Sequence, residues 1–244
     1  VGMAQDCDIV FLSLPGPKEV KQVVTGDQGL LRHGKNGQKI IDLSTIDPYT
    51  SENIANQAQS RGITYIDVPV GGGVPNANKG TLTLMVGGTE EDVADIRPYL
   101  DAIGTTFHFI GRRGGGTAVK VVSNFMGACT MFLSAEALLM AERLNIPFDT
   151  FYKVVCTTPG GNRMLDAKES RIRNNDFDPP GGTVDIAIKD LELAIQLCKD
   201  LGIANFNGNF AQQWYRIAKL KGYGKYDKSV MVKFLRELEK ENAT

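Results

Sequence analysis

Along the first 111 residues, short runs rich in β-branched and apolar side chains alternate with segments whose apolar positions recur at helical spacing. The runs are DIVFLSL, KIIDLST, ITYIDVPV, TLTLMVGG and TTFHFIG, and they predict strands of a parallel sheet joined by crossover helices. Between them, PYTSENIANQAQSRG and TEEDVADIRPYLDAIG open on Pro or Thr with acidic residues close behind and end near Gly, which are helix start and stop signals. From Thr117 onward the pattern is helical throughout. It begins with TAVKVVSNFMGACTMFLSAEALLMAERL, apolar on nearly every face, which predicts a buried core helix where two halves of the chain meet. Further helices are predicted at 149–155, 163–174, 184–201, 206–221 and 228–240. The fold class that follows is an α/β domain over 1–115 and an all-helical domain over 116–244.

Composition narrows the partners more than the fold. Hydrophobic residues make up 42% and charged residues 23%, and 27 Lys and Arg nearly cancel 28 Asp and Glu, so no nucleic-acid or membrane-surface partner is expected. Cys7, Cys129, Cys156 and Cys198 form no CxxC pair, which argues against zinc and disulfides and for a reducing, cytoplasmic setting. The charge-free part of the apolar helix, 121–135, falls short of the roughly 18–20 residues that span a bilayer. Asp6 and Asp8 stand where the basic start of a signal peptide would be. A doubly wound nucleotide-binding sheet opens with a strand, a GxGxxG turn and a helix. Here the first strand, 8–14, begins almost at once and no such turn occurs, so an incomplete sheet is expected, its first half encoded upstream.

Four motifs carry chemistry. In DVPVGGG, Gly71, Gly72 and Gly73 have no Cβ, and their successive N–H groups can form a nest for a carboxylate; the plainer reading is a loop that leaves a strand. In GRRGGGTAVKVVSN, Lys120 and Asn124 lie one turn apart on one helix face, where a desolvated lysine suits proton transfer. The plainer reading keeps the Lys120 ammonium in water at the helix rim. IDLST delivers Ser44 and Thr45 to a strand's carboxyl end, either to meet a ligand or, with Asp47, to cap the next helix. IKDLELA places Lys189 and Asp190 on an amphipathic helix, where such pairs are commonly a solvated face. His33, read as a loop residue, and His108, in a strand, have no partner motif.

The order and spacing of these motifs resemble the β-hydroxyacid dehydrogenases. That family's substrate segment is similar to DVPVGGGVPNANKGTLTLMVGG, and its GxGxxxKxxxN catalytic segment to Gly114, Gly116, Lys120 and Asn124. Its KDLxLA segment is similar to Lys189–Ala194, its DxST strand end to Asp42–Thr45, its LP strand end to Leu14 and Pro15, and its Asp-x-Ser helix start to the YDKS of YDKSVMVKFL. The resemblance implies a Rossmann-type sheet, NAD or NADP as cofactor, a small hydroxy acid or semialdehyde as substrate, and a homodimer or homotetramer. It implies Lys120 as general acid/base, with Asn124 orienting it and touching substrate. Gly71, Gly72 and Gly73 would bind substrate; Leu14, Pro15, Ser44, Thr45, Lys189 and Asp190 would bind cofactor. Gly71 replaces the serine usual in the family, which opens the substrate question and leaves sulfonate or imine reduction as alternatives, although retention of Lys120 argues against an imine. A catalytically inactive dimerisation module lacking the pyrophosphate site is the rival from another class.

Overall fold

A computed structural model describes residues 2–178 and 181–241. The chain divides into two compact units after Val122.

The first unit runs α1 (Gly2–Asp6), β1 (Ile9–Leu12), α2 (Pro17–Thr25), α3 (Leu30–His33), β2 (Lys39–Asp42), α4 (Pro48–Gln59), β3 (Thr64–Asp67), β4 (Val70–Gly71), α5 (Gly73–Ala77), β5 (Leu82–Val86), α6 (Arg97–Asp101) and β6 (Gly104–Phe109). Strands β1, β2 and β3 form a parallel sheet in that order, and their carboxyl ends are level: Leu12 pairs with Asp42, and Asp42 with Asp67. Alternation along β2 buries both faces, since Ile40 joins one apolar cluster with Val20 and Ile54, and Ile41 another with Leu84 and Ile96. The expected single strand 63–70 is interrupted at Val68 and Pro69. Its last residue, Val70, and Gly71 form β4, which pairs antiparallel with β5 in a second sheet of order β4-β5-β6, so the all-parallel expectation fails there. Pro69 has no N–H to offer a ladder, and its carbonyl instead accepts from Met85 N at 3.0 Å. The segment expected to be one helix at 89–104 is a 3₁₀ stretch, Glu91–Ile96, followed by α6, which carries Pro98 in its first turn. His33 ends α3 and is not in a loop.

One continuous helix, α7 (Gly115–Arg143), leads out of the first unit and into the second. There follow α8 (Phe148–Val155), α9 (Arg163–Arg173), α10 (Val184–Asp200), α11 (Phe206–Ala218) and α12 (Met231–Glu241). Asn162, Thr183 and Asn205 cap α9, α10 and α11 by accepting from backbone N–H groups of the first turn. The expected helix 206–221 stops at Ala218 and passes into a π-turn because Gly222 takes φ +94°. A core of Met131, Phe132, Leu138, Leu165, Leu191, Tyr215 and Phe234 holds this unit together. The Tyr215 hydroxyl, wholly buried, donates to the carbonyl of Ala128 at 3.0 Å.

The expectation that α7 is buried on all sides is overturned. Ala128, Met131, Phe132, Ala135 and Leu138 face the core, but Met126, Leu133 and Met140 are 61%, 64% and 68% exposed. A single helix presents only part of its circumference to one core, and these three residues recur every seven positions on the opposite side. By length and composition alone, α7 reaches what a membrane crossing requires, although its charge-free part does not. Its core-facing stripe is that of a helix packed inside a protein domain.

Candidate active site

The carboxyl ends of β1 and β2 are locked together by Ser44. Its buried hydroxyl accepts from the N–H of Leu14 at 2.8 Å, and its own N–H donates to Asp42 Oδ1 at 2.9 Å. Capping of α4 falls to Asp47, which accepts from Thr50 N at 2.8 Å, leaving Ser44 and Thr45 in the segment before the helix. Burial pushes the Asp42 carboxyl up, against the lowering effect of its bonds from Ser44 and from the Tyr65 hydroxyl at 2.7 Å. Burial and the neighbouring Asp42 in turn hold the Tyr65 phenol well above its ordinary range. Pro15 follows in the turn before α2. In an open α/β sheet these strand ends are where a nucleotide is held. The donor set here, two hydroxyl residues beside a Leu-Pro turn at level parallel strand ends, fits the sugar and nicotinamide portion of a dinucleotide.

The glycine turn is exposed. Gly71 closes β4, Gly72 takes φ +114° as the residue before α5, and Gly73 lies inside that helix's first turn. A Cβ at Gly72 would come within 2.6 Å of the Asn76 side chain in a backbone conformation that β-branched residues avoid. At Gly71 a Cβ would meet Met85 Cε at 3.5 Å and Thr83 Cβ at 3.7 Å, ordinary contacts that leave room for a small side chain. N–H groups in a helix's first turn have no intrahelical acceptor.

Helix α7 begins at Gly115, two residues before the expected start, and Lys120 and Asn124 lie one turn apart along it, both half-buried. Within the second unit, the Asn124 amide donates to Asp190 Oδ2 at 2.7 Å, and Lys189 Nζ lies 2.9 Å from Asp190 Oδ1. Asp190 is only 6% exposed, so the solvated-face reading of this pair fails for the carboxylate. Two residues that the motifs did not single out for a role complete the start of α7. Asp67 Oδ1 accepts from Gly114 N at 2.9 Å, and Asp67 Oδ2 from Thr117 N at 2.8 Å and Thr117 Oγ1 at 3.0 Å. The signal available was a lone acid at the end of an apolar strand; its partners stand about 50 residues away in sequence.

Comparison with known proteins agrees with this picture. Residues 2–111 match the NAD binding domain of 6-phosphogluconate dehydrogenase, and residues 114–235 match the NAD-binding domain of NADP-dependent 3-hydroxyisobutyrate dehydrogenase. The chain is 34% identical to 2-(hydroxymethyl)glutarate dehydrogenase of Eubacterium barkeri, over 95% of this chain and 77% of that protein. It is 32% identical to 3-sulfolactaldehyde reductase of Escherichia coli, over 96% of this chain and 78% of that one. Among solved structures it resembles 3-hydroxyisobutyrate dehydrogenase of Mycobacterium tuberculosis, with TM-score 0.84 and 29% identity over 95% of this chain and 80% of that chain. Sheet ends suited to a nicotinamide nucleotide, a lysine and asparagine one turn apart, and likeness along nearly the whole sequence lead to one conclusion: the chain belongs to the β-hydroxyacid dehydrogenases, a family of NAD(P)-dependent oxidoreductases.

Proposed function

We propose that the chain interconverts a small hydroxy acid and its aldehyde or semialdehyde, with Lys120 moving the proton at the reacting oxygen. The observation that carries this reading is the placing of Lys120 and Asn124 on successive turns of α7. When bound, the nicotinamide cofactor exchanges a hydride with the substrate carbon. The chain's own share is the proton. In oxidation the Lys120 amine accepts it from the hydroxyl, and in reduction the ammonium returns it to the carbonyl oxygen. Asn124, its amide held by Asp190, orients the lysine and the substrate oxygen. Leu14, Pro15, Ser44 and Thr45 line the cofactor, and Lys189 and Asp190 also serve it. Gly71, Gly72 and Gly73 bind the substrate's acid group through backbone N–H groups.

The named relatives act on molecules that pair an alcohol or aldehyde with an acid group, a carboxylate in one case and a sulfonate in another. The missing hydroxyl at Gly71 leaves more room beside that acid group, which favours a sulfonate as the second reading. We further propose that the chain works in the cytoplasm, which suits its free cysteines and is checked by cell fractionation. A second copy covering the exposed stripe of α7, in a homodimer or homotetramer, belongs to the same reading.

Lys120→Ala decides the mechanism. We expect kcat to fall by roughly 10²- to 10⁴-fold while circular dichroism and fluorescence titration of NADH and NADPH stay unchanged. Turnover close to wild type in the variant removes Lys120 from the mechanism.

A further inference from the structure

The end of β3, four residues before the glycine turn, and the helix that carries Lys120 are joined by one buried carboxylate. We infer that Asp67 is a positioning residue, which fixes the first turn of α7 against the end of β3 and so sets the direction of Lys120. This inference rests on the proposed role of Lys120.

Asp67 is 1% exposed and Thr117 is wholly buried. Both carboxylate oxygens are committed to the helix start: one to Gly114 N, the other to the N–H and hydroxyl of Thr117. The Thr117 hydroxyl lies equally close, at 3.0 Å, to the carbonyl of Gly114, so its one proton is shared between that oxygen and the Asp67 carboxylate. Lys120 follows Thr117 by three residues, less than one helical turn, so rotation of this first turn about the helix axis swings the lysine directly. An anion at a helix N-terminus is also favoured by the aligned peptide dipoles.

The surroundings are cut to admit this contact. A Cβ on Gly87 would sit 1.9 Å from Asp67 Oδ1, and one on Gly116 would sit 2.1 Å from the carbonyl oxygen of Met85 and 3.0 Å from Asp67 Oδ2. The Asp67 main chain is held too, its carbonyl accepting from Gly87 N at 2.7 Å. Asp67 therefore ties the end of β3 to the start of α7 through its carboxylate and to the end of β5 through its main chain. Gly71 lies only four residues beyond Asp67, so the substrate loop and the lysine's helix share one anchor.

The test is a double-mutant cycle on the full chain, assayed with 3-hydroxyisobutyrate and 3-sulfolactaldehyde. Asp67→Asn keeps the shape but presents an NH₂ group to one of the helix N–H donors. We expect it to lower kcat by roughly 10²-fold, the scale of a misplaced catalytic group, with KM for the cofactor unchanged. In the Lys120→Ala background it should cost nothing further. Thr117→Val, which keeps the fold's volume, should lower kcat in the same sense, and Thr117→Ser should restore it. The inference is overturned if Asp67→Asn lowers melting temperature with kcat intact, or if its loss is undiminished without Lys120. Failure of the Lys120 role shows separately, as undiminished turnover in Lys120→Ala alone, and that result also removes the group Asp67 is inferred to position.

Discussion

Asp227 shows how a single side chain can organise the helical unit. Its Oδ2 accepts from Lys168 Nζ at 2.7 Å and Gly181 N at 2.8 Å, while its Oδ1 accepts from the N–H and hydroxyl of Ser229 ahead of α12. Burial pushes this carboxyl up, but the Lys168 ammonium and the Ser229 bonds outweigh it and leave the group below its ordinary value. A lowered folded value means that Asp227 adds stability above the ordinary carboxylate range and that this is lost as pH falls through the folded value, below about pH 4. Lys168→Met leaves the anion buried, with Arg171 at 3.9 Å as the remaining cation. We expect a loss of about 3–5 kcal/mol at neutral pH by urea denaturation, and a pH dependence of the opposite sign on the acid side. An unchanged midpoint across that pH range would rule out the pair as a support of the fold. The sequence showed this residue only as the opening of an Asp-x-Ser helix start. Its lysine, 59 positions earlier, was unmarked, because pairing between distant elements leaves no local spacing to read.

Elements were legible where their signals were local. The five apolar runs became strands, Asp47 and Pro48 start α4, and Lys120 and Asn124 share α7 as their spacing required. Helices α1, α2, α3 and α5 were not expected: α1, α3 and α5 span only four or five residues, α5 inside the glycine turn, and α2 starts after Gly16 with no side-chain cap to mark it. Asp67 and Asp190 were hard to weigh for a physical reason: whether an acid is solvated or clamped depends on what the tertiary fold brings to it. The glycine turn carries the prediction at this scale. Gly72→Val puts a β-branched side chain at φ +114° and should raise substrate KM steeply without altering cofactor binding. Gly71→Ser fits the space beside Met85 and Thr83, and adds a hydroxyl worth about 1.5–3 kcal/mol against a charged group. With a carboxylate substrate, kcat/KM should then rise by about ten-fold or more. A fall, together with preserved activity on a sulfonate, assigns the space at Gly71 to the larger acid. A KM unmoved by Gly72→Val reduces the glycines to a loop.

For the whole molecule, the unmet surface of α7 is the feature that composition concealed. An apolar helix reads the same whether its outer face meets its own chain or another copy. Met126, Leu133 and Met140, spaced by seven, make a seam of the kind along which helices associate. Light scattering should therefore report a mass of two or four chains, and Leu133→Glu should shift it toward one; a monomer at every concentration refutes the assignment. The division after Val122 has a further consequence, because it falls inside a continuous helix and not in a linker. In an α-helix each amide bonds the carbonyl four residues back, so the amides of Ser123 to Met126 reach carbonyls of residues 119–122. Opening this stretch therefore means breaking regular helical hydrogen bonds in the interior of a 29-residue helix, away from the ends where fraying starts.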